Sequence, residues 1–234
     1  MSLPHINIDL LDPTEPILVS WGGGIDSTYA LKWLLENTQN PIYADYWGIL
    51  SDRLSDFRMI GEKGACDALY PLLSQIRPFT YTTFQADWKN CWARGPAVIS
   101  LVQQSAQTRR IKKMVIGAAH DDLTQLLPNT DISAITKMVQ FGEDIAAAWE
   151  RMQDYLDPAL QHTTYCRFAL LPESATDTKF NYGLYLGKEL VELTFSCTNS
   201  VALQTSAVLN NLLKSCGQCP RCLAREQLLA HFNQ

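Results

Sequence analysis

Apolar positions along the chain follow two alternating rhythms. Ile17-Leu18-Val19-Ser20 is a short continuous apolar run, which predicts a buried strand. Ser27 to Glu36 follows with Ala30, Leu31, Leu34 and Leu35 at helical spacing. The same alternation recurs: a strand over Ile42 to Trp47, a helix over Arg58 to Ile76, and a strand over Phe79 to Phe84. A helix over Pro96 to Gln107 and a short buried strand over Met114 to Gly117 complete the series. Repeated strand–helix alternation predicts an α/β fold of Rossmann-like type, a parallel sheet with helices on both faces that binds ligands beyond the C-terminal ends of its strands. From about Asp131 the pattern turns helical. Ile132 to Leu156 spaces Ile135, Met138, Val139, Ile145, Ala146 and Trp149 as a packing face, and another helix is expected near Lys179 to Lys188. The reading is therefore an α/β domain over 14–130 and a helical C-terminal region over 131–234 that carries a group of cysteines.

Composition narrows the class. With 47% hydrophobic and 18% charged residues the chain is an ordinary globular protein. It has no apolar run near the roughly 18 residues that span a bilayer, so no membrane partner is expected. The segment Met1-Ser2-Leu3-Pro4-His5 has neither the basic region nor the apolar core of a secretory signal, so a reducing cytoplasm is the expected compartment. A net charge of −5 disfavours direct nucleic-acid binding. The one basic run, Arg109-Arg110 with Lys112-Lys113, is read as cations at a helix C-terminus.

The chemistry begins after the first strand, at Ser20-Trp21-Gly22-Gly23-Gly24-Ile25-Asp26-Ser27-Thr28. Three consecutive glycines let backbone approach phosphate, the helix start supplies free N–H groups, and Ser27 and Thr28 add hydroxyls. The Gly-Lys-Ser/Thr ending of a P-loop is absent. A dinucleotide reading would use Gly22 and Gly24 with Asp45 as the ribose-binding acid. Against it, Asp26 would place a carboxylate beside pyrophosphate, which suits Mg-ATP because the cation separates the two anions.

Seven cysteines are present, three of them in Cys216-Gly217-Gln218-Cys219-Pro220-Arg221-Cys222. Cys197 offers a fourth thiolate. Four thiolates close a tetrahedral structural Zn²⁺ site, with an iron–sulfur cluster as the alternative for Cys-x2-Cys-x2-Cys. Cys66, Cys91 and Cys166 stand alone and read as core residues.

These residues carry a resemblance. Gly23-Gly24-Ile25-Asp26-Ser27 is similar to the Ser-Gly-Gly-x-Asp-Ser loop of the PP-loop ATP pyrophosphatases, with Gly22 in place of the first Ser. Together with the cysteine spacing, the chain resembles the 7-cyano-7-deazaguanine synthases (the QueC family) as a divergent member. Arg94-Gly95, the strand end Val115-Ile116-Gly117 with Asp122, Thr178-Lys179, and Leu193-Thr194-Phe195-Ser196-Cys197 resemble family segments in the same order. The departures lie where the family reads its deazapurine: Leu127-Pro128-Asn129-Thr130-Asp131 keeps an acid but lacks the family's Cys and Arg.

The resemblance implies an ATP-dependent ligase. A 7-carboxy-7-deazaguanine-like carboxylate is adenylated, pyrophosphate is released, and ammonia or another amine traps the acyl-adenylate. Asp26, Arg94 and Lys179 would act on the phosphates, with ATP bound by Ser20 to Thr28, Asp45 and Gly117. His120, Asp122 and Asp131 would face the substrate, and a homodimer is implied. Three alternatives stay open. One is a defence-operon enzyme joining a deazaguanine to an acceptor protein's amine. Another is sulfur transfer to tRNA. The last is a nucleotide-binding partner protein whose catalysis has lapsed.

Overall fold

The computed structural model describes residues 12–50, 56–87, 105–106, 108–111, 113–117, 167–168, 178–197 and 215–234. Its strands are β1 (Ile17–Ser20), β2 (Ile42–Leu50), β3 (Thr80–Asp87), β4 (Lys113–Ile116) and β5 (Arg167–Phe168). They form one parallel sheet in the order β3-β2-β1-β4-β5. The described helices are α1 (Ile25–Asn37), α2 (Asp56–Ile76), α3 (Lys179–Leu186), α4 (Lys188–Leu193) and α5 (Pro220–Phe232). This is the expected Rossmann-like α/β architecture. Strand order reverses direction between β1 and β4, and a doubly wound sheet opens a crevice for ligands at such a switch point. Register places Ser20 beside both Asp45 and Ile116, so the chain leaves β1 at Trp21 and β4 at Gly117 on the same edge.

Side chains of β1 alternate between two cores, as strand period requires. Ile17 and Val19 join the larger core with Tyr29, Leu31 and Leu34 of α1, Leu69 and Leu73 of α2, and Tyr182, Val191 and Leu228 from α3, α4 and α5. Leu18 faces the other way, onto Ala106, Ile111 and Met114. The C-terminal helices thus share the core that holds α1, and α5 also carries Cys222, with Cys219 at its N-cap. The expected boundary near residue 131 and the expected helix over 132–156 lie outside the described residues, as does most of the expected helix over 96–107.

Three elements escaped the sequence pattern. α4, six residues long, directly follows the expected helix near Lys179 to Lys188. β5 is two residues long, too short to show a period. In α5 the buried residues are Cys222 and Leu228, and its surface of Arg, Glu, Gln and His hides the helical rhythm. Conversely, α1 starts two residues before Ser27 because Gly24 occupies the N-cap position.

One polar network ties the sheet to the turn before β4. Asp45 is fully buried, and its carboxylate accepts from Ser105 Oγ at 2.7 Å and from Arg109 Nη1 at 2.8 and 3.1 Å. Arg109 also donates to Thr82 Oγ1 on β3 at 3.2 Å. Arg110 then takes a left-handed φ of 57°, and Ile111 N–H returns to Ala106 O at 2.8 Å, the closure typical of a helix end. Two members of the basic run are therefore used internally, since Lys113 pairs with Glu15 at 2.7 Å. Removing one partner of a buried charge pair costs about 3–5 kcal/mol, against about 1 kcal/mol or less for a more exposed pair. Arg109→Met is accordingly expected to lower unfolding free energy in urea several-fold more than Lys113→Met. Equal losses from the two variants would contradict this assignment.

Candidate functional site

The glycine loop is shaped by what it touches. Gly23 has φ +68°, and a β-carbon there would stand 2.8 Å from Glu62 O and 2.9 Å from Ala65 Cβ on α2. Gly117, leaving β4, lies against the start of α1: its β-carbon would meet Ser27 N at 2.4 Å and Ser27 Cα at 2.5 Å. The two crevice edges are thus in backbone contact, and only glycine permits it. Gly22, by contrast, has open space around its α-carbon, with nothing within 4 Å of a β-carbon. Ser27 Oγ accepts from Gly22 N at 3.3 Å across the loop mouth. The first turn of α1 keeps N–H groups without intrahelical partners, the usual endowment of an anion site.

A second helix brings its own N-terminus to this place. Lys179, in the first turn of α3, puts Nζ 2.8 Å from Asp26 Oδ2, and both side chains are largely buried. Further along, Tyr29 stacks on Tyr182 with centroids 4.2 Å apart, and Tyr185 O–H donates to Glu36. Partners advance together along both helices, so α1 and α3 run parallel and their positive ends meet. Thr178 caps α3 by accepting from Asn181 N–H at 3.4 Å. A lysine in a helix's first turn opposes the macrodipole, which concentrates positive potential at this mouth.

The segment from Thr194 to Cys197 runs from α4 past the loop to the cysteines. Phe195 N–H donates to Gly23 O at 2.9 Å. The sulfurs of Cys197, Cys216, Cys219 and Cys222 all lie within 4.8 Å of one another, a group able to hold a metal ion. Backbone N–H groups support them: Cys216 N–H points to Cys197 Sγ at 3.4 Å, and Gln218 and Cys219 N–H to Cys216 Sγ at 3.5 and 3.3 Å. Cys222 sits in the first turn of α5. Burial, then the Cys219 thiol, push the Cys222 thiol above its ordinary range. A cation among the four sulfurs offsets that penalty and lets them ionise together.

Comparisons with known proteins add little to this geometry. No family model and no curated protein matches the chain. Among solved structures it is similar to the U34-tRNA thiolase NcsA from Methanococcus maripaludis, determined with its 4Fe–4S cluster. Identity is 14% and TM-score 0.47, over 96% of this chain and 75% of that one. A likeness that distant carries no argument about chemistry, so the reading rests on the residues.

Of the residues singled out from sequence, the structure groups Gly22 to Ser27, Gly117 and Lys179 at one crevice, and the four cysteines beside it. Three expectations are corrected. The Thr28 hydroxyl is fully buried and accepts from Trp21 Nε1 at 3.1 Å, so it fixes the base of the loop rather than facing phosphate. Trp21 is itself core, packed edge-on to Phe79 and Tyr81. Asp45 is consumed by Arg109 and Ser105 and offers no carboxylate to a ribose. Ser20 closes β1 and Ile25 is buried, leaving their backbones to the site. Arg94, His120, Asp122 and Asp131 lie outside the described residues, with Cys91 and Cys166. Cys66 is core as expected: burial, then Glu62, push its thiol up, and it donates to Trp21 O at 3.5 Å. Sequence reasoning missed the link from Phe195 to Gly23; its signal was the position of Phe195 two residues before Cys197.

The loop makes a sharp steric prediction. Gly23→Ala meets backbone and requires a left-handed alanine, and should cost about 2–4 kcal/mol. Gly22→Ser enters open space and should stay within about 0.5 kcal/mol of the unmodified protein. Chemical denaturation checks both, and comparable destabilisation by the two would refute this loop geometry.

Proposed function

We propose that this chain is an ATP-dependent, adenylate-forming ligase similar to the 7-cyano-7-deazaguanine synthases. The observation that carries the reading is the meeting of Lys179 with Asp26 at 2.8 Å, where two helix N-termini converge on the glycine loop. A buried ion pair is weak evidence for stability. Here it supports a poised site, in which the lysine is held until an anion arrives. Loop N–H groups and Lys179 would take the β- and γ-phosphates of ATP, and Asp26 would face Mg²⁺ directly or through water. Bound Mg²⁺ supplies charge neutralisation between Asp26 and the phosphates.

The substrate carboxylate attacks the α-phosphorus, the bond to the bridging oxygen breaks, and pyrophosphate leaves in the glycine cradle. An amine then attacks the acyl carbon and AMP departs. With ammonia the product is the amide, and a second ATP adenylates the amide oxygen, which leaves with AMP as the nitrile forms and two protons are released. Lys179 answers the charge that grows on the leaving pyrophosphate, the electrostatic role that contributes most in phosphoryl chemistry. Arg94, His120, Asp122 and Asp131 belong to this reading by resemblance alone.

The four-sulfur group fits Zn²⁺. Tetrahedral Zn–S bonds of about 2.3 Å place sulfurs about 3.8 Å apart, and the pairs Cys216–Cys222 and Cys219–Cys222 stand at 3.8 and 3.4 Å. A 4Fe–4S cluster binds each thiolate to a different iron, and a 2Fe–2S cluster binds them in two pairs, so either spreads the four sulfurs wider than one Zn²⁺ does. Four thiolates leave Zn²⁺ no open position, so its role is to hold Cys197 and α5 together.

The test is incubation of the purified, metal-assayed protein with Mg-ATP and 7-carboxy-7-deazaguanine, with and without ammonium, following AMP, pyrophosphate and product mass. Zinc near one per chain and AMP with a nitrile are expected. Lys179→Met should lower AMP formation at least about a hundredfold. AMP with a mass gain on a protein would instead support conjugation, and no AMP under any condition would sink the ligase reading for this substrate class.

A further inference from the structure

Resting on the phosphate-loop reading, we infer that Ser196, held by the metal-anchored segment, supplies the hydroxyl that the loop itself lacks at Gly22. The space at Gly22 is empty of protein atoms within 4 Å of a β-carbon, so the loop leaves room for a donor and provides none from its own first position. Ser196 Oγ approaches from the neighbouring segment, 3.2 Å from the point where a β-carbon on Gly24 would stand. Ser196 is half-buried, between two residues that cannot wander. On one side Phe195 N–H is bonded to Gly23 O at 2.9 Å, and on the other Cys197 is buried among the four sulfurs. Thr194, just before them, is buried and donates its hydroxyl to Val191 O at 2.8 Å. A hydroxyl so placed donates to a phosphate oxygen without adding charge, and its partner is the pyrophosphate group of a nucleoside triphosphate. Metal occupancy thereby becomes a condition for phosphate affinity, because Cys197 fixes the backbone one residue from the donor.

The experiment is calorimetric titration of the zinc-loaded protein with inorganic pyrophosphate in the presence of Mg²⁺, with metal content and melting temperature recorded for each variant. Ser196→Ala is expected to weaken binding about tenfold, the usual effect of one hydrogen bond to a charged group. Its zinc and melting temperature should be unchanged. Adding Gly22→Ser to Ser196→Ala should restore affinity to within about threefold of the unmodified protein, since both hydroxyls reach one anion. Unchanged binding in Ser196→Ala, or a loss that Gly22→Ser does not restore, overturns the assignment of Ser196 while leaving the phosphate loop standing. If the unmodified protein does not bind pyrophosphate, the phosphate-loop reading falls and the Ser196 assignment with it.

Discussion

The contact between Lys179 and Asp26 joins residues 153 positions apart at the mouth of the glycine loop. It exists because α3 lies parallel to α1, and that alignment is fixed by the stacked Tyr29 and Tyr182. Stacked aromatic pairs contribute about 0.5–1.5 kcal/mol beyond the area they bury, enough to favour one register between two helices. With the helices parallel, two macrodipoles and one ammonium add at one point, and the Asp26 carboxylate pairs with the ammonium. Everything proposed for phosphate binding depends on this concentration of positive potential in a crevice that the sheet topology opens.

The glycine loop is held from three sides. Thr28 and Trp21 brace it from below, α2 presses on Gly23, and Gly117 meets the start of α1. The fourth restraint comes from the C-terminal region, where Phe195 binds Gly23 O shortly before the chain enters the sulfur cluster. A metal bound there would anchor one wall of the site as well as stabilise the C-terminal helices. The cysteine cluster and the glycine loop are therefore one mechanical unit, although the sequence separates them by most of its length.

The periodic segments and the Gly22-to-Ser27 loop were legible in the sequence because both are local: strand and helix periods, and glycines ahead of a helix. The four cysteines were legible as a group able to hold a metal because their spacing is that of metal ligands. What sequence could not assign was where side chains with two plausible roles would be used. Asp45 sits at the distance of a ribose-binding acid, yet Arg109, read as a helix-end cation, reaches across to neutralise it. Thr28 looked like a phosphate donor and instead satisfies Trp21. Lys179 showed no pattern that separated it from a surface cation, and burial beside Asp26 separates it. For Asp45 and Lys179 the deciding partner is remote in sequence, and for Thr28 it lies across the turn of the same loop.

The most direct test is a crystal structure of the protein soaked with Mg²⁺ and a non-hydrolysable ATP analogue. The account expects phosphate oxygens against the backbone N–H groups of Gly22 to Ser27, with Lys179 Nζ transferred from Asp26 to a phosphate and Mg²⁺ near the freed carboxylate. Phosphates bound elsewhere, or an intact Lys179–Asp26 pair beside a bound nucleotide, would contradict it.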